Sequence, residues 1–270
     1  MQYVTHHLLL TAVALAGLFA VYRFGFWVRE GGRMQKGGYL PPAPSLFGRI
    51  GLKVACRLIA WLGVGPIKVT GRENVKYDGT LLVTGNHQFE LDFSVIGAAL
   101  PYSFRQLASA NEVSGLRAAP AAWSGHFAVH VEKGHAQKGE SGSAVVDACA
   151  KILSQPHSRL LMFLQGYLDR ECKFDPKDFR TGAVRALHEA QALGDGNLAV
   201  LPTAVYYKRT AAHRILDKLF TRHMFGPHNY GASVAIGKPI PVSSLPQDPR
   251  EATEVLRLEI VRLYNVAKAL

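Results

Sequence analysis

Apolar and polar positions are spaced differently at the N-terminus than in the rest of the chain. Residues 8–22, LLLTAVALAGLFAVY, carry no charge, and apolar character resumes after Arg23 in FGFWV. A helix over 8–22 would be only about 22 Å long, short of a ~30 Å hydrocarbon core unless Arg23 snorkels and the helix continues. The pattern predicts a membrane-contacting helix over residues 1–30, which either spans the bilayer or lies in its interface.

Lys and Arg residues follow this segment, and none precedes it. Arg23, Arg29, Arg33 and Lys36 come after residues 8–22. A cleaved signal peptide fits poorly, because such peptides carry their cations before the apolar run. By the positive-inside tendency, we expect a membrane-associated protein whose remaining chain faces the cytoplasm. A buried core helix at the chain start is the alternative interpretation.

Beyond a Gly- and Pro-containing linker at residues 31–45, strand-like and helix-like patterns alternate. Strands are predicted at 81–86, 104–109, 126–131, 159–165, 198–207 and 232–237, and helices near 46–62, 91–100, 141–154, 182–194 and 249–268. Asp248 is a plausible N-cap for the last helix, with Pro249 at its first position. Such alternation predicts one α/β domain over 46–270, with a largely parallel central sheet flanked by helices.

Composition and charge narrow the choice of partner. The chain has 270 residues, of which 48% are hydrophobic and 19% are charged, so it can bury a sizeable core. Its net charge of +11 favours an anionic partner, which could be a nucleic acid, a membrane surface or a phosphate-bearing substrate. The three cysteines, Cys56, Cys149 and Cys172, lie far apart and form no C-x-x-C pair, which favours a reducing compartment.

One polar cluster interrupts the apolar pattern where a predicted strand meets a helix. Residues 86–92 read NHQFELD, which could be an ordinary turn, a metal site, or a base with its orienting carboxylate. His87 has no second His or Cys at a ligand spacing nearby, so no metal is expected. Asp92 follows His87 by five residues and could accept a hydrogen bond from one ring nitrogen, leaving the other as a general base.

Further motifs follow in a fixed order. They are NHQFELD (86–92), GHFAVHV (125–131), FLQGYLDR (163–170), FRTGAVRAL (179–187), VLPTAVYY (200–207) and IGKPI (236–240). This series resembles the glycerolipid and lysophospholipid acyltransferase superfamily, which includes the 1-acylglycerol-3-phosphate O-acyltransferases, over roughly residues 50–242. The resemblance implies that His87 deprotonates an acceptor hydroxyl, which attacks an acyl thioester, and that Asp92 orients His87. It also implies acyl-CoA or acyl-carrier protein as the donor, membrane lipids as partners and no further cofactor.

The same resemblance suggests which residues bind substrate. Asn86, which could also shape the turn, Phe163, Gln165, Gly166, Arg170 and Lys173 are the candidates. The chain departs from the family at two motifs: the usual F-P-E-G is FLQG, and the usual phosphate-binding Arg is replaced by Val131, with His130 and Lys133 as the nearest basic residues.

These departures predict an acceptor other than glycerol 3-phosphate, although Arg170, Lys173 and Arg180 could supply replacement charge. An ordinary lysophosphatidate acyltransferase of phospholipid synthesis is one alternative. A non-catalytic, membrane-tethered lipid-binding relative is another, which the retention of His87 and Asp92 disfavours. A basic nucleic-acid-binding protein is also disfavoured, because no nucleic-acid-binding motif occurs.

Overall fold

Strands and helices alternate along the chain, as the apolar pattern predicts. The computed structural model describes residues 2–34, 39–111, 113–129, 131–132, 135–136, 140–194, 196–208 and 231–270. The helices are α1 (Gln2–Met34), α2 (Leu46–Gly63), α3 (Asp92–Ala99), α4 (Ala118–Trp123), α5 (Glu140–Leu153), α6 (Gly182–Leu193) and α7 (Pro249–Lys268). The strands are β1 (Ile67–Thr70), β2 (Thr80–Thr84), β3 (Arg105–Ser109), β4 (Phe127–Val129), β5 (Val131–Glu132), β6 (His135–Ala136), β7 (Arg159–Leu161), β8 (Leu198–Tyr207), β9 (Ala232–Ile236) and β10 (Ile240–Pro241).

A mixed, mostly parallel sheet forms the centre of the fold. Its strands lie in the order β1-β9-β8-β2-β7-β3-β4, and β10 adds to β8. Neighbours are parallel except for β8 with β9 and β10 with β8, which are antiparallel. A separate two-stranded ribbon pairs β5 with β6. The predicted α/β fold with a largely parallel sheet is therefore confirmed.

Helices cover both faces of this sheet, because the side chains of each strand point alternately to opposite sides. On one face, Leu82 and Val200 belong to a core cluster with residues of α5, α6 and α7. On the other face, Leu81, Val83 and Leu201 pack in a cluster with residues of α2 and α3. Every residue of β2 is buried, as expected for a central strand covered on both faces.

The C-terminal helix begins where its capping pattern predicts. The Asp248 carboxylate accepts hydrogen bonds from the backbone N–H groups of Arg250 and Glu251, both at 2.9 Å, and Pro249 is the first helical residue. The first backbone N–H groups of a helix have no acceptor within the helix, and the carboxylate of an N-cap residue supplies one.

The N-terminal helix is longer than expected, since α1 continues to Met34 and takes in residues 31–34 of the predicted linker. Its last turns pack on α4: Trp27 and Met34 are buried, and a Cβ added to Gly31 would lie 2.6 Å from the backbone carbon of Ala118. Among residues 11–34 of the helix, every buried residue lies between 27 and 34, so this end packs on the domain.

Large apolar side chains in the preceding turns of α1 are exposed. Leu18, Phe19 and Tyr22 are 68%, 64% and 69% exposed. The 24-residue stretch Thr11–Met34 is long and apolar enough to cross a membrane, by length and composition. This helix therefore indicates membrane association.

Some elements differ from the sequence prediction. Strand β7 ends at Leu161, four residues earlier than expected, because the chain then leaves the sheet and enters the loop that carries FLQG. The predicted strand 126–131 appears as β4 and β5, and His130 between them lies outside the described residues. The short elements β1, β6, β10 and α4 were not anticipated.

Candidate active site

The NHQFELD turn lies at the carboxyl end of β2 and is fastened to the neighbouring strand β8. A Cβ added to Gly85 would lie 2.7 Å from Thr203 Oγ1, so only glycine allows this close approach. The buried Asn86 amide donates to the Val205 carbonyl at 3.0 Å and accepts from the Val205 N–H at 2.8 Å. The side chain thus continues the β2–β8 hydrogen bonding like a peptide group, which supports the interpretation that Asn86 shapes the turn.

Asp92, the first residue of α3, is completely buried and binds four donors. Its Oδ2 accepts hydrogen bonds from His87 Nδ1 at 3.0 Å and from the backbone N–H groups of Gln88 at 2.6 Å and Phe89 at 2.8 Å. Its Oδ1 accepts from the Tyr207 hydroxyl at 2.5 Å. A carboxylate satisfies this set because it only accepts, and the α3 N-terminus favours its negative charge.

The imidazole ring of His87 is contacted along one edge and on one face. Its Nδ1 lies on Asp92, and its ring stacks on Phe163 with 4.0 Å between ring centroids and 3° between planes. The side chain is 22% exposed, so solvent or substrate can reach it. With Nδ1–H donated to the carboxylate, Nε2 is the nitrogen that can take a proton from a bound hydroxyl.

The FLQG motif lies against the same histidine. The Gln165 amide is 1% exposed; its Oε1 accepts from the His87 backbone N–H at 3.2 Å, and its Nε2 donates to Asp169 Oδ2 at 3.1 Å. The Asp169 N–H in turn donates to the His87 carbonyl at 2.7 Å. Gln165 therefore fastens the loop to the His87 backbone, and its direct contact with an acceptor stays a prediction.

Gly166 adopts the left-handed conformation, with φ of +69°, and an added Cβ would meet no atom within 4 Å. Its backbone conformation therefore calls for glycine, while the protein itself leaves the space beside it open.

The two predicted cationic ligands lie further out, each beside a carboxylate. Arg170 Nη2 lies 2.5 Å from Oε1 of Glu90, a residue of the NHQFELD turn. Lys173 pairs with Glu171 at 2.9 Å on the surface, where the pair raises the pKa of Lys173 and lowers that of Glu171. Residues 167–171 line an open cleft of about 340 Å³ together with residues 173, 175, 177 and 178.

The structure brings Asp92, Phe163 and Gln165 into contact with His87, the neighbour of Asn86 in the chain. Arg170 pairs with Glu90 of the same turn. Lys173 stands apart at 72% side-chain exposure. At the second motif, Val131 belongs to β5, and the nearby basic residues His130 and Lys133 lie outside the described residues.

Sequence reasoning missed Tyr207 and the two backbone donors of the turn. The signal for Tyr207 was the parallel pairing of β2 with β8, which puts the end of β8 beside the turn after β2. Cys172 was also missed: its Sγ lies 3.7 Å from Asn86 Nδ2, and burial raises the pKa of the thiol to about 12.

Metal ligands do not group in this site. Within the described ranges, no three His, Cys, Asp or Glu side chains are arranged to hold a metal ion. All three cysteines are free. The described site does place an imidazole and a carboxylate side by side, at His87 and Asp92.

Comparison with known proteins identifies the family. The acyltransferase family model matches residues 66–206, more than half of the chain, and the match contains the NHQFELD turn and the FLQG loop. The chain belongs to the acyltransferase family. The motif-based resemblance is thus confirmed, and the protein is an acyltransferase enzyme.

A solved acyltransferase shares the fold. The crystal structure of the 1-acyl-sn-glycerophosphate (LPA) acyltransferase PlsC from Thermotoga maritima aligns with a TM-score of 0.55 and 15% sequence identity. The alignment covers 82% of this chain and 80% of that chain. At this identity the likeness concerns the fold. A search among curated proteins finds no match to this acyltransferase.

Proposed function

We propose that this acyltransferase moves a fatty acyl group from an acyl thioester, either acyl-CoA or acyl-carrier protein, to a hydroxyl of a membrane lipid. The observation that carries the proposal is the His87–Asp92 pair, 3.0 Å apart at the end of a central strand. A partly exposed imidazole on a buried carboxylate is suited to general-base catalysis at neutral pH.

The proposed reaction needs one base and no covalent enzyme intermediate. As the acceptor hydroxyl oxygen attacks the thioester carbonyl carbon, its proton passes to His87 Nε2. The tetrahedral adduct then collapses, the C–S bond breaks, and the leaving thiolate takes the proton from the imidazolium. Asp92 holds the Nδ1–H throughout, so the ring keeps its orientation and its positive charge is stabilised.

We further propose that the preferred acceptor is a lipid without a phosphomonoester. A phosphomonoester carries up to two negative charges, which need cations or donors when they leave water. Arg170 and Lys173 each lie on a carboxylate, Glu90 and Glu171 respectively. An incoming phosphate would have to compete with these carboxylates, whereas a neutral hydroxyl needs only the base.

A labelled donor tests the reaction. The full-length protein in detergent is incubated with radiolabelled acyl-CoA or acyl-carrier protein and a mixed lipid extract, and the labelled product is identified by mass spectrometry. We expect label in an ester of a neutral lipid alcohol. Preference for lysophosphatidate would support the ordinary phospholipid-synthesis role instead, and no labelled lipid with either donor would favour a non-catalytic relative.

Two helices support a proposal for membrane attachment. Besides α1, helix α2 exposes a row of large apolar side chains, among them Phe47 at 76% and Trp61 at 69%. Arg49 and Arg57 are exposed on the same helix. We propose that α1 inserts and α2 lies on the bilayer surface, with the catalytic domain on the cytoplasmic side, because basic side chains are attracted to anionic lipid.

Truncation tests this attachment. Deletion of residues 2–20 removes exposed apolar turns and spares Trp27 and Met34, which pack on the domain. We expect the truncated protein to leave membranes largely at high salt and partly at low salt, as measured by flotation with anionic vesicles. The control is Leu193→Ser, which removes an apolar side chain that is 67% exposed at the end of α6, away from both helices. An unchanged membrane fraction at both salt concentrations would contradict the proposal.

A further inference from the structure

Strand β8 ends in two adjacent tyrosines that face opposite sides of the sheet. Tyr206 packs with Tyr264 of α7, with 5.7 Å between ring centroids. Tyr207 points to the α3 side, where it is 3% exposed and donates its hydroxyl to Asp92 Oδ1 at 2.5 Å. We infer that Tyr207 is a positioning residue that holds the Asp92 carboxylate, and through it the His87 ring, in the reactive orientation; this rests on the proposed function.

The two carboxylate oxygens of Asp92 accept hydrogen bonds from different groups. Oδ2 receives His87 and the two backbone donors of the turn, whereas the hydrogen bond on Oδ1 comes from Tyr207. A carboxylate can rotate about its bond to Cβ, and rotation would move Oδ2 away from the ring nitrogen. The hydrogen bond on Oδ1 opposes this rotation, because turning would break it between two buried side chains, with Asp92 completely buried and Tyr207 3% exposed.

Tyr207 can restrain Asp92 because its own ring and backbone are restrained by neighbouring residues. Its ring meets the edge of Phe89 at 5.7 Å between centroids, with 66° between planes. Its backbone belongs to β8, which exchanges two hydrogen bonds with the Asn86 amide two residues earlier, where the Val205 carbonyl accepts one and the Val205 N–H donates the other. The same strand therefore anchors both ends of the NHQFELD turn, at Asn86 and at Asp92.

Tyr207 lies next to the end of residues 66–206, the region that the family model matches. Tyr207 is buried beneath the turn and acts through Asp92, so its loss should leave substrate binding intact. Removal of the hydroxyl should lower kcat roughly 10- to 100-fold, the cost of a lost hydrogen bond to a charged group, with KM changed less than about two-fold.

The test compares Tyr207→Phe with Tyr206→Phe in the full-length protein. Both variants lose one phenol oxygen from neighbouring positions of one strand, but only the first loses a bond to Asp92. We expect kcat to fall in Tyr207→Phe and to stay within about two-fold of wild type in Tyr206→Phe. Equal losses in the two variants, an unchanged kcat in Tyr207→Phe, or a change in KM alone would overturn the inference.

Nuclear magnetic resonance of protein labelled with ¹⁵N-histidine gives a readout that needs no turnover. Wild type and Tyr206→Phe should show His87 as the Nδ1-protonated tautomer, and Tyr207→Phe should show a mixture of tautomers. If Tyr207→Phe does not fold, 3-fluorotyrosine at position 207 is the second variant. Its more acidic hydroxyl is a stronger donor to Asp92, so the His87 Nδ1 proton should shift upfield, and an unchanged resonance would overturn the inference.

These readouts separate the inference from the proposed function. Loss of the tautomer preference in Tyr207→Phe would support positioning even in a preparation without acyl transfer. Conversely, labelled lipid formed equally by wild type and Tyr207→Phe, with the same tautomer in both, would overturn the positioning role and leave the proposed reaction intact.

Discussion

The NHQFELD turn and the loop over residues 163–180 meet at His87 but are built differently. In the turn, Asn86 and Asp92 are buried and are bound by backbone groups and by strand β8. In the loop, charged side chains pair with near neighbours on the surface, as Lys173 does with Glu171. Backbone strain also differs: Cys172 and Phe174 of the loop have φ of 49° and 52°, which L-residues rarely adopt.

This contrast fits the proposal that the turn carries the chemistry and that the loop takes part in recognition of the substrate. A base must be held within a fraction of an ångström, so its supports are buried and redundant. An exposed loop can change its charges at little cost to the fold. Two departures of this chain from the family pattern, Leu164 and Gln165, lie in the loop, where both side chains are buried, and a third, Val131, lies outside it in β5.

The largest expected effect comes from the turn. His87→Ala should lower acyl transfer roughly 10²- to 10⁴-fold, because the general base is lost. The fold should persist, since the side chain is partly exposed, and circular dichroism checks this. The control is His157→Asn at an exposed histidine with φ of 56°, a conformation that asparagine tolerates, and it should keep normal turnover. Near-normal activity of His87→Ala would show that another group is the base.

Asp92→Asn comes next and should affect both activity and stability. The amide nitrogen of Asn would face a donor, either at the Tyr207 hydroxyl or at the turn N–H groups, and a buried unsatisfied group costs roughly 1–3 kcal/mol. Activity should fall about 10²-fold, as His87 loses its orienting acceptor. Chemical denaturation and labelled-donor turnover measure the two effects. Asp147→Asn, at an exposed position of α5, is the control, and equal behaviour of the two variants would count against the assigned role of Asp92.

Gln165→Glu tests the contact where the turn and the loop meet. A carboxylate at this buried position would lie about 3 Å from Asp169 Oδ2, where the amide now donates at 3.1 Å. We expect turnover to fall about 10-fold at pH 8, with a smaller loss relative to wild type at pH 6, because protonation of either carboxyl relieves the repulsion.

Two further variants sharpen this result. Adding Asp169→Asn to Gln165→Glu should restore part of the activity by supplying a new amide donor. Gln247→Glu, at an exposed position, is the matched control. A Gln165→Glu enzyme with full activity at pH 8 would mean that Gln165 is not held between His87 and Asp169.

The smallest expected effect concerns the loop. Glu90→Gln removes the carboxylate that lies 2.5 Å from Arg170, so a phosphate could bind the guanidinium without competition. We expect the ratio of turnover on lysophosphatidate to turnover on a neutral lipid alcohol to rise about two- to five-fold, in line with the modest strength of an exposed ion pair. Glu259→Gln, which removes the partner of Arg262 on α7, is the control. If both variants leave the ratio unchanged, Arg170 does not contribute to the choice of acceptor.

Local patterns were enough to predict much of the fold. The alternation of apolar runs predicted the central strands, and Asp248 with Pro249 located the start of α7, because capping depends on neighbours along the chain. Strand β7 was predicted too long, since FLQG is as apolar as a strand. In the structure Phe163 and Gln165 contact His87 instead of extending the sheet. The end of α1 was also missed, because Gly31 and Gly32 resemble a linker until Gly31 is seen packed on Ala118.

The sequence by itself determined the α/β class, the apolar N-terminal helix and the pairing of His87 with Asp92, since each depends on spacing within a short segment. Tertiary structure decided what holds that pair. Tyr207 lies 115 positions from Asp92 along the chain, and Gln165 lies 78 from His87. Parallel strands bring such distant residues to one edge of a sheet, and whether a side chain there points to the site or to the opposite face depends on strand register, which no local pattern encodes.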